Sequence, residues 1–338
     1  MDDRALLQEI LPEAERLVHR HYDTCKPWYP HELIPWSVAR DFDPAEAWDG
    51  SAVPLPESLR SALFVNLLTE DNLPYYFNTI DRMFGDTGTW REWSHRWTAE
   101  EARHSIAIRD FLTVTRALDP RMVEDGRMAQ MMGGQVPQPQ SAADGFVYVA
   151  LQELATRIAH RNTGKAMLDQ ADEQGENGDN PAYRAGYEVL ARVAADENFH
   201  FLFYRDLTSA ALAVAPSIVL PAIERQVREF EMPGTGIPGF KRHADAIAKA
   251  GLYNLLLHHD QILEPVVIKW WKVESLSGLT AEAEMARERL LRQIQRIGLA
   301  ARRLADRARE AAERARDVGE RAIARVQLDV ARPGLTSL

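Results

Sequence analysis

Four stretches of this chain carry apolar residues three and four positions apart, and in each the stripe is interrupted by a carboxylate. The stripes are Leu63, Leu67, Glu70, Phe77; Trp93, Trp97, Glu101, His104, Ile108, Phe111; Phe146, Val149, Glu153, Thr156; and Leu190, Val193, Glu197, His200, Tyr204, Leu207. Residues at that spacing share one face of a helix, because each turns about 100° around the axis. A lone charge on a buried face costs several kcal/mol, so each acid needs a partner or a metal. Two of the stripes add a histidine three residues after the acid. The same spacing occurs a third time, at Glu92 and His95. That pair lies nine residues before Glu101 and His104, about 900° of rotation, which puts it on the opposite, polar face as a chance match.

Helical spacing dominates the rest of the chain, and few period-two segments read as strands, so the expected class is all-α. The patterns predict helices at about 57–80, 90–118, 142–170, 182–213, 217–231, 240–258, 260–273 and 280–327. Breaks fall at "GDTG", "MMGGQVPQPQ", "GENGDNP" and "MPGTGIPG", whose Gly, Pro, Asn and Asp disfavour continued helix. None is long enough for an interdomain linker. The expected organisation is one domain over 1–338, with a loop-rich N-terminal segment (1–56), a four-helix core (57–213), and flanking helices ending in an Arg-rich helix (214–338).

With 338 residues, 46% of them hydrophobic, the chain has ample material for a buried core. Cys25 is the only cysteine, which excludes an intrachain disulfide and any multi-cysteine metal site. A metal would have to be held by His and carboxylates. The net charge of −10 argues against nucleic-acid binding, although residues 281–332 hold thirteen Arg against nine acids. The plain reading of that tail is a solvated helix with i,i+4 ion pairs. No run of eighteen apolar residues predicts a membrane span, and "MDDRALLQEI" lacks a signal-peptide pattern, so the expected location is cytoplasmic.

Buried ion pairs with arginine would explain one acidic stripe. Four in the order Glu, Glu-x-x-His, Glu, Glu-x-x-His match the ligand set of ferritin-like di-iron carboxylate bundles. Carboxylates and imidazoles suit iron or manganese.

The sequence resembles the soluble acyl-[acyl carrier protein] desaturases. "TEDNLPYY", "RWTAEEARH", "LQELATRIAHRNTG" and "AADENFH" are similar to the family's four ligand helices, and the likeness runs from about Trp28 to "WKVESLSGLTAE" near residue 282. The resemblance implies two irons per chain, held by Glu70, Glu101, His104, Glu153, Glu197 and His200, with Glu153 and Glu101 bridging. It implies an electron route through Trp28, Asp196 and His104, and proton delivery by Thr156. The bland alternative for Thr156 is a core residue bonded to a backbone carbonyl. The family shares Pro74, which implies a kink within the first ligand helix rather than its end.

The implied reaction is oxygen-dependent formation of a cis double bond in a fatty acyl chain on acyl carrier protein. The resemblance also implies a ferredoxin-type electron donor and a homodimer. Two alternatives keep the metal site: a hydroxylase or N-oxygenase of a carrier-bound substrate, and a ferritin-like iron-oxidising protein. Lys241 and Arg242, or the Arg-rich tail, are candidates for docking the acidic carrier. The 171–181 loop is longer than in plant relatives.

Overall fold

The structure, a computed structural model, describes residues 1–330 except 44, 135, 175–178, 233 and 235, with backbone only at 312 and 315–330. Twelve α-helices follow one another, and no strand occurs among the described residues. They are α1 (Asp3–Glu9), α2 (Leu11–Thr24), α3 (Glu57–Glu70), α4 (Leu73–Phe84), α5 (Gly88–Thr115), α6 (Pro120–Gly133), α7 (Ala142–Glu173), α8 (Pro181–Val214), α9 (Pro216–Glu229), α10 (Phe240–Lys249), α11 (Leu255–His258) and α12 (Ala281–Val330). The chain continues from α11 as a π-helical segment, His259–Trp270.

The four helices α3, α5, α7 and α8 carry the acidic stripes, and the stripes are buried. Trp93, Trp97, Glu101, His104, Ile108 and Phe111 on α5 are all buried, as are Leu190, Val193, Glu197, His200, Tyr204 and Leu207 on α8. Glu92 and His95 are exposed, as their half-turn offset requires. Helices α7 and α8 pack closely because glycines face the contact: a Cβ on Gly164 would sit 3.2 Å from Leu190 Cβ, and one on Gly186 would sit 2.8 Å from Met167. At one end of the bundle Trp93 stacks on Phe203, ring centroids 3.6 Å apart, and donates its indole N–H to the Tyr204 hydroxyl at 3.0 Å.

Four expectations change, the briefest being that the helix predicted over 240–258 is broken at 250–254, between α10 and α11. The N-terminal segment is not loop-rich throughout, because 3–24 form α1 and α2. Leu6, Ile10, Ala14, Leu17, Val18 and His21 recur at helical spacing and are buried, and Pro12 sits in the first turn of α2, where its missing N–H costs nothing. The predicted helix 57–80 is two helices: α3 ends at Glu70, Asp71 and Asn72 intervene, and Pro74 lies in the first turn of α4. The proline therefore starts a helix rather than kinking one, and Phe77 leaves the buried stripe for a half-buried position. Residues 120–133, unassigned from sequence, form α6, capped by Asp119, whose side chain accepts from Arg121 N. Helix α7 reaches Glu173 and α8 begins at Pro181; residues 175–178 of the long loop lie outside the described residues.

Candidate metal centre

All six predicted ligands meet in the bundle core. Their side-chain atoms form two sets, Glu70, Glu101, His104, Glu197 and Glu101, Glu153, Glu197, His200, with one atom from each residue of a set within 4.8 Å of the others. Glu101 and Glu197 belong to both sets and Glu153 to one, so the shared pair is Glu101 with Glu197 rather than Glu101 with Glu153. His104 Nδ1 lies 3.2 Å from Glu101 Oε2 and 3.5 Å from Glu70 Oε2. His200 Nδ1 lies 2.8 Å from Glu101 Oε1 and 3.7 Å from Glu153 Oε2.

The residues fit a pair of cations on the chemistry of their unsatisfied atoms. Glu101 Oε1, Glu153 Oε2, Glu197 Oε2, His104 Nδ1 and His200 Nδ1 are buried and make no well-aligned hydrogen bond, although they crowd one another, His200 Nδ1 and Glu101 Oε1 at 2.8 Å. Buried polar atoms are nearly always paired, so inward-facing donor atoms from two sets that share residues are a donor set suited to cations. Two divalent cations with neutral histidines would balance the four glutamates. Left to themselves, the groups neutralise charge with protons. Burial works against charging either imidazole, but Glu101 beside His104, and Glu100 and Glu101 beside His200, hold both imidazolium forms well above the usual histidine range. Burial and the charges of Glu101 and Glu153 push Glu197 well above the usual carboxylate range.

Outer groups hold the ligands. Trp97 Nε1 donates to Glu153 Oε1 at 3.0 Å, and His160 Nε2 bonds Glu70 Oε1 at 2.9 Å. Trp28 Nε1 donates to Asp196 Oδ2 at 2.7 Å, and His104 Nε2 lies 3.4 Å from the same oxygen, so the Trp28–Asp196–His104 chain is continuous. The Thr156 hydroxyl donates to the backbone carbonyls of Gln152 and Glu153, at 3.2 and 3.1 Å, which is the ordinary back-bond of a helical threonine. Thr156 also lines an apolar cavity between α3, α7 and α10, together with Ala62, Val65, Ala159, Phe240 and Ile247; His160 lies in its wall.

Sequence reasoning missed four groups around the centre: His160, Arg103, Glu100, which lies 3.0 Å from His200 Nε2, and His21, which lies 2.8 Å from Glu100. His160 follows Glu153 by seven residues, two helical turns, and so shares its face; the signal was present. Glu100 adjoins Glu101 about 100° around α5, off the apolar stripe, and is nevertheless buried. Arg103, which donates to Asp196 at 3.0 Å, reads as an ordinary surface cation. His21 lay in the segment read as loop.

A four-helix core whose facing helices supply four carboxylates and two Glu-x-x-His histidines is the arrangement seen in ferritin-like di-iron carboxylate proteins. The fatty acid desaturase profile matches residues 2–320, well beyond the segment that carried the sequence resemblance, and the chain belongs to that family. The Mycobacterium tuberculosis protein named acyl-[acyl-carrier-protein] desaturase DesA1 is 37% identical over 310 residues, covering 89% of this chain and 87% of its own length. A seed-specific, chloroplastic stearoyl-[acyl-carrier-protein] 9-desaturase of Brassica napus is 29% identical over 323 residues, 91% of this chain and 75% of its own. The crystal structure of DesA2 of Mycobacterium tuberculosis superposes with a TM-score of 0.63 at 24% identity, over 83% of this chain and 99% of that one, and shares the fold.

Proposed function

We propose that this chain forms a cis double bond in a fatty acyl chain carried on acyl carrier protein, using oxygen and two irons bound at the paired ligand sets. The observation that carries it is an apolar cavity beside those sets, lined by His160, the partner of Glu70, and by Thr156, three residues after Glu153 on α7. The names of the relatives supply the carrier-bound acyl substrate. Removing two hydrogens from adjacent methylenes releases two electrons; two more from a ferredoxin-type donor complete the reduction of oxygen to water.

Glu70, Glu101, His104, Glu153, Glu197 and His200 would hold the irons, with Glu101 and Glu197 shared. The irons would supply the oxygen-activating chemistry that an unactivated methylene pair demands. The chain's own residues do the rest. Trp97 fixes Glu153 through one oxygen and leaves the other for the centre. Asp196 orients His104 and joins it to Trp28, the proposed entry for electrons. The apolar walls keep water out and align the substrate. Thr156, already donating to backbone, serves proton delivery only by exchanging that bond. The reading includes a homodimer, as the family resemblance implies, and a cytoplasmic location.

The test is oxygen consumption by chemically reduced, iron-loaded protein. Uptake should be slow alone, fast with stearoyl- or palmitoyl-acyl carrier protein, and the released acid should have lost two hydrogens. A gained oxygen atom would replace the reading with an oxygenase. Rapid substrate-independent iron oxidation would replace it with an iron-oxidising protein.

A further inference from the structure

The two histidines of the centre are held from behind in a crossed pattern. His104, on α5, turns Nε2 toward Asp196 of α8; His200, on α8, turns Nε2 toward Glu100 of α5, at 3.0 Å. Each bracing carboxylate directly precedes a cluster glutamate on its own helix, Asp196 before Glu197 and Glu100 before Glu101. Each is also tied outward to an arginine and to the N-terminal segment. Asp196 accepts from Arg103 and Trp28. Glu100 accepts from Arg96 Nε at 2.6 Å and bonds His21 Nε2 at 2.8 Å. The Asp196 arm coincides with the proposed electron route, whereas the Glu100 arm has no part in it.

We infer that Glu100 is a positioning residue for His200, anchored by His21, and that helix α2 thereby sets how tightly one of the two metal positions is held. The position concerned is the set Glu101, Glu153, Glu197, His200. Glu100 Oε2 lies within hydrogen-bond distance of both imidazoles. Accepting from His200 Nε2 requires the proton there and leaves Nδ1 to face the cluster carboxylates, 2.8 Å from Glu101 Oε1 and 3.7 Å from Glu153 Oε2. The His21 ring lies nearly parallel to that of His200, 6.0 Å between centroids and 20° between planes, which limits ring rotation. A carboxylate behind a ligating imidazole fixes its orientation and raises its basicity, and losing one typically costs about ten- to hundredfold in metal affinity. Because Glu100 touches His200 and not His104, the loss should fall on one metal.

This inference rests on the two-iron reading above, and the experiment separates the two. Protein loaded anaerobically with Fe(II) is mixed with excess bipyridine, and release is followed by absorbance. Glu100→Ala should speed release of one equivalent about tenfold or more and leave the other unchanged. Glu100→Gln, whose amide oxygen still accepts from an imidazole, should fall between wild type and Glu100→Ala. His21→Phe keeps the ring volume and should speed the same equivalent by less. Asp196→Asn should speed the other equivalent. If both equivalents accelerate alike, or neither does, in variants whose metal-free melting temperature matches wild type, the positioning role is overturned. Should wild type bind fewer than two irons per chain, the two-iron reading fails and the inference falls with it.

Discussion

At the residue scale, the ligand helices spend their buried positions on groups that would be costly anywhere else. Glu153 is fully buried yet keeps one oxygen bonded to Trp97 and the other without a partner. Trp28 shows the same economy on the outside of the centre. Its ring lies under the guanidinium groups of Arg103 and Arg192, 4.9 and 5.7 Å away, while its N–H reaches Asp196. Trp28→Phe keeps most of that packing and deletes the donor. We expect normal iron content and turnover slowed about tenfold. Parallel loss of iron and activity would make Trp28 structural.

At the element scale, the joint between α11 and the π-helical segment holds a titratable group away from the centre. His258 Nδ1 lies 2.9 Å from the Tyr253 hydroxyl, and its ring packs on Phe230. Burial and the neighbouring His259 lower His258 to about 4 from an ordinary 6.5. The folded state therefore resists a proton that the unfolded chain accepts. Stability is intact above pH 6.5 and declines toward pH 4, by about 2 kcal/mol at pH 5. His258→Gln should remove that decline. Urea unfolding of both proteins at pH 7 and pH 5 gives the double difference, and an equal drop in both would exclude His258 as its source. Legibility at this scale tracks pattern length. The stripes on α5 and α8 were readable because six buried positions recur on each. The break after Glu70 was not, since Pro74 is compatible with a kink or with a new first turn, and only packing decides. The short N-terminal helices were overshadowed by the proline-rich stretch that follows, and His21 was lost with them.

At the scale of the whole molecule, the proposed centre would tie folding to metal. Cations that bind only the folded chain stabilise it, by about 4 kcal/mol at a thousand times the dissociation constant. Melting temperature should therefore rise with added Fe(II) under anaerobic conditions and fall on chelation, and a metal-independent melting curve would contradict the centre. The C-terminal helix has a different bearing on experiment. Helix α12 runs for 50 residues, about 75 Å, and the last of its described residues to be buried is Ala301. A compact chain of this length has a radius of gyration of only about 20 Å. Residues 302–311, which follow Ala301 on the same helix and are nearly all exposed, act hydrodynamically as a mast: they add drag out of proportion to mass. A single chain will then leave a sizing column early, in the range of a larger globular protein, so the number of chains per particle must be read from scattering mass or equilibrium sedimentation rather than from elution.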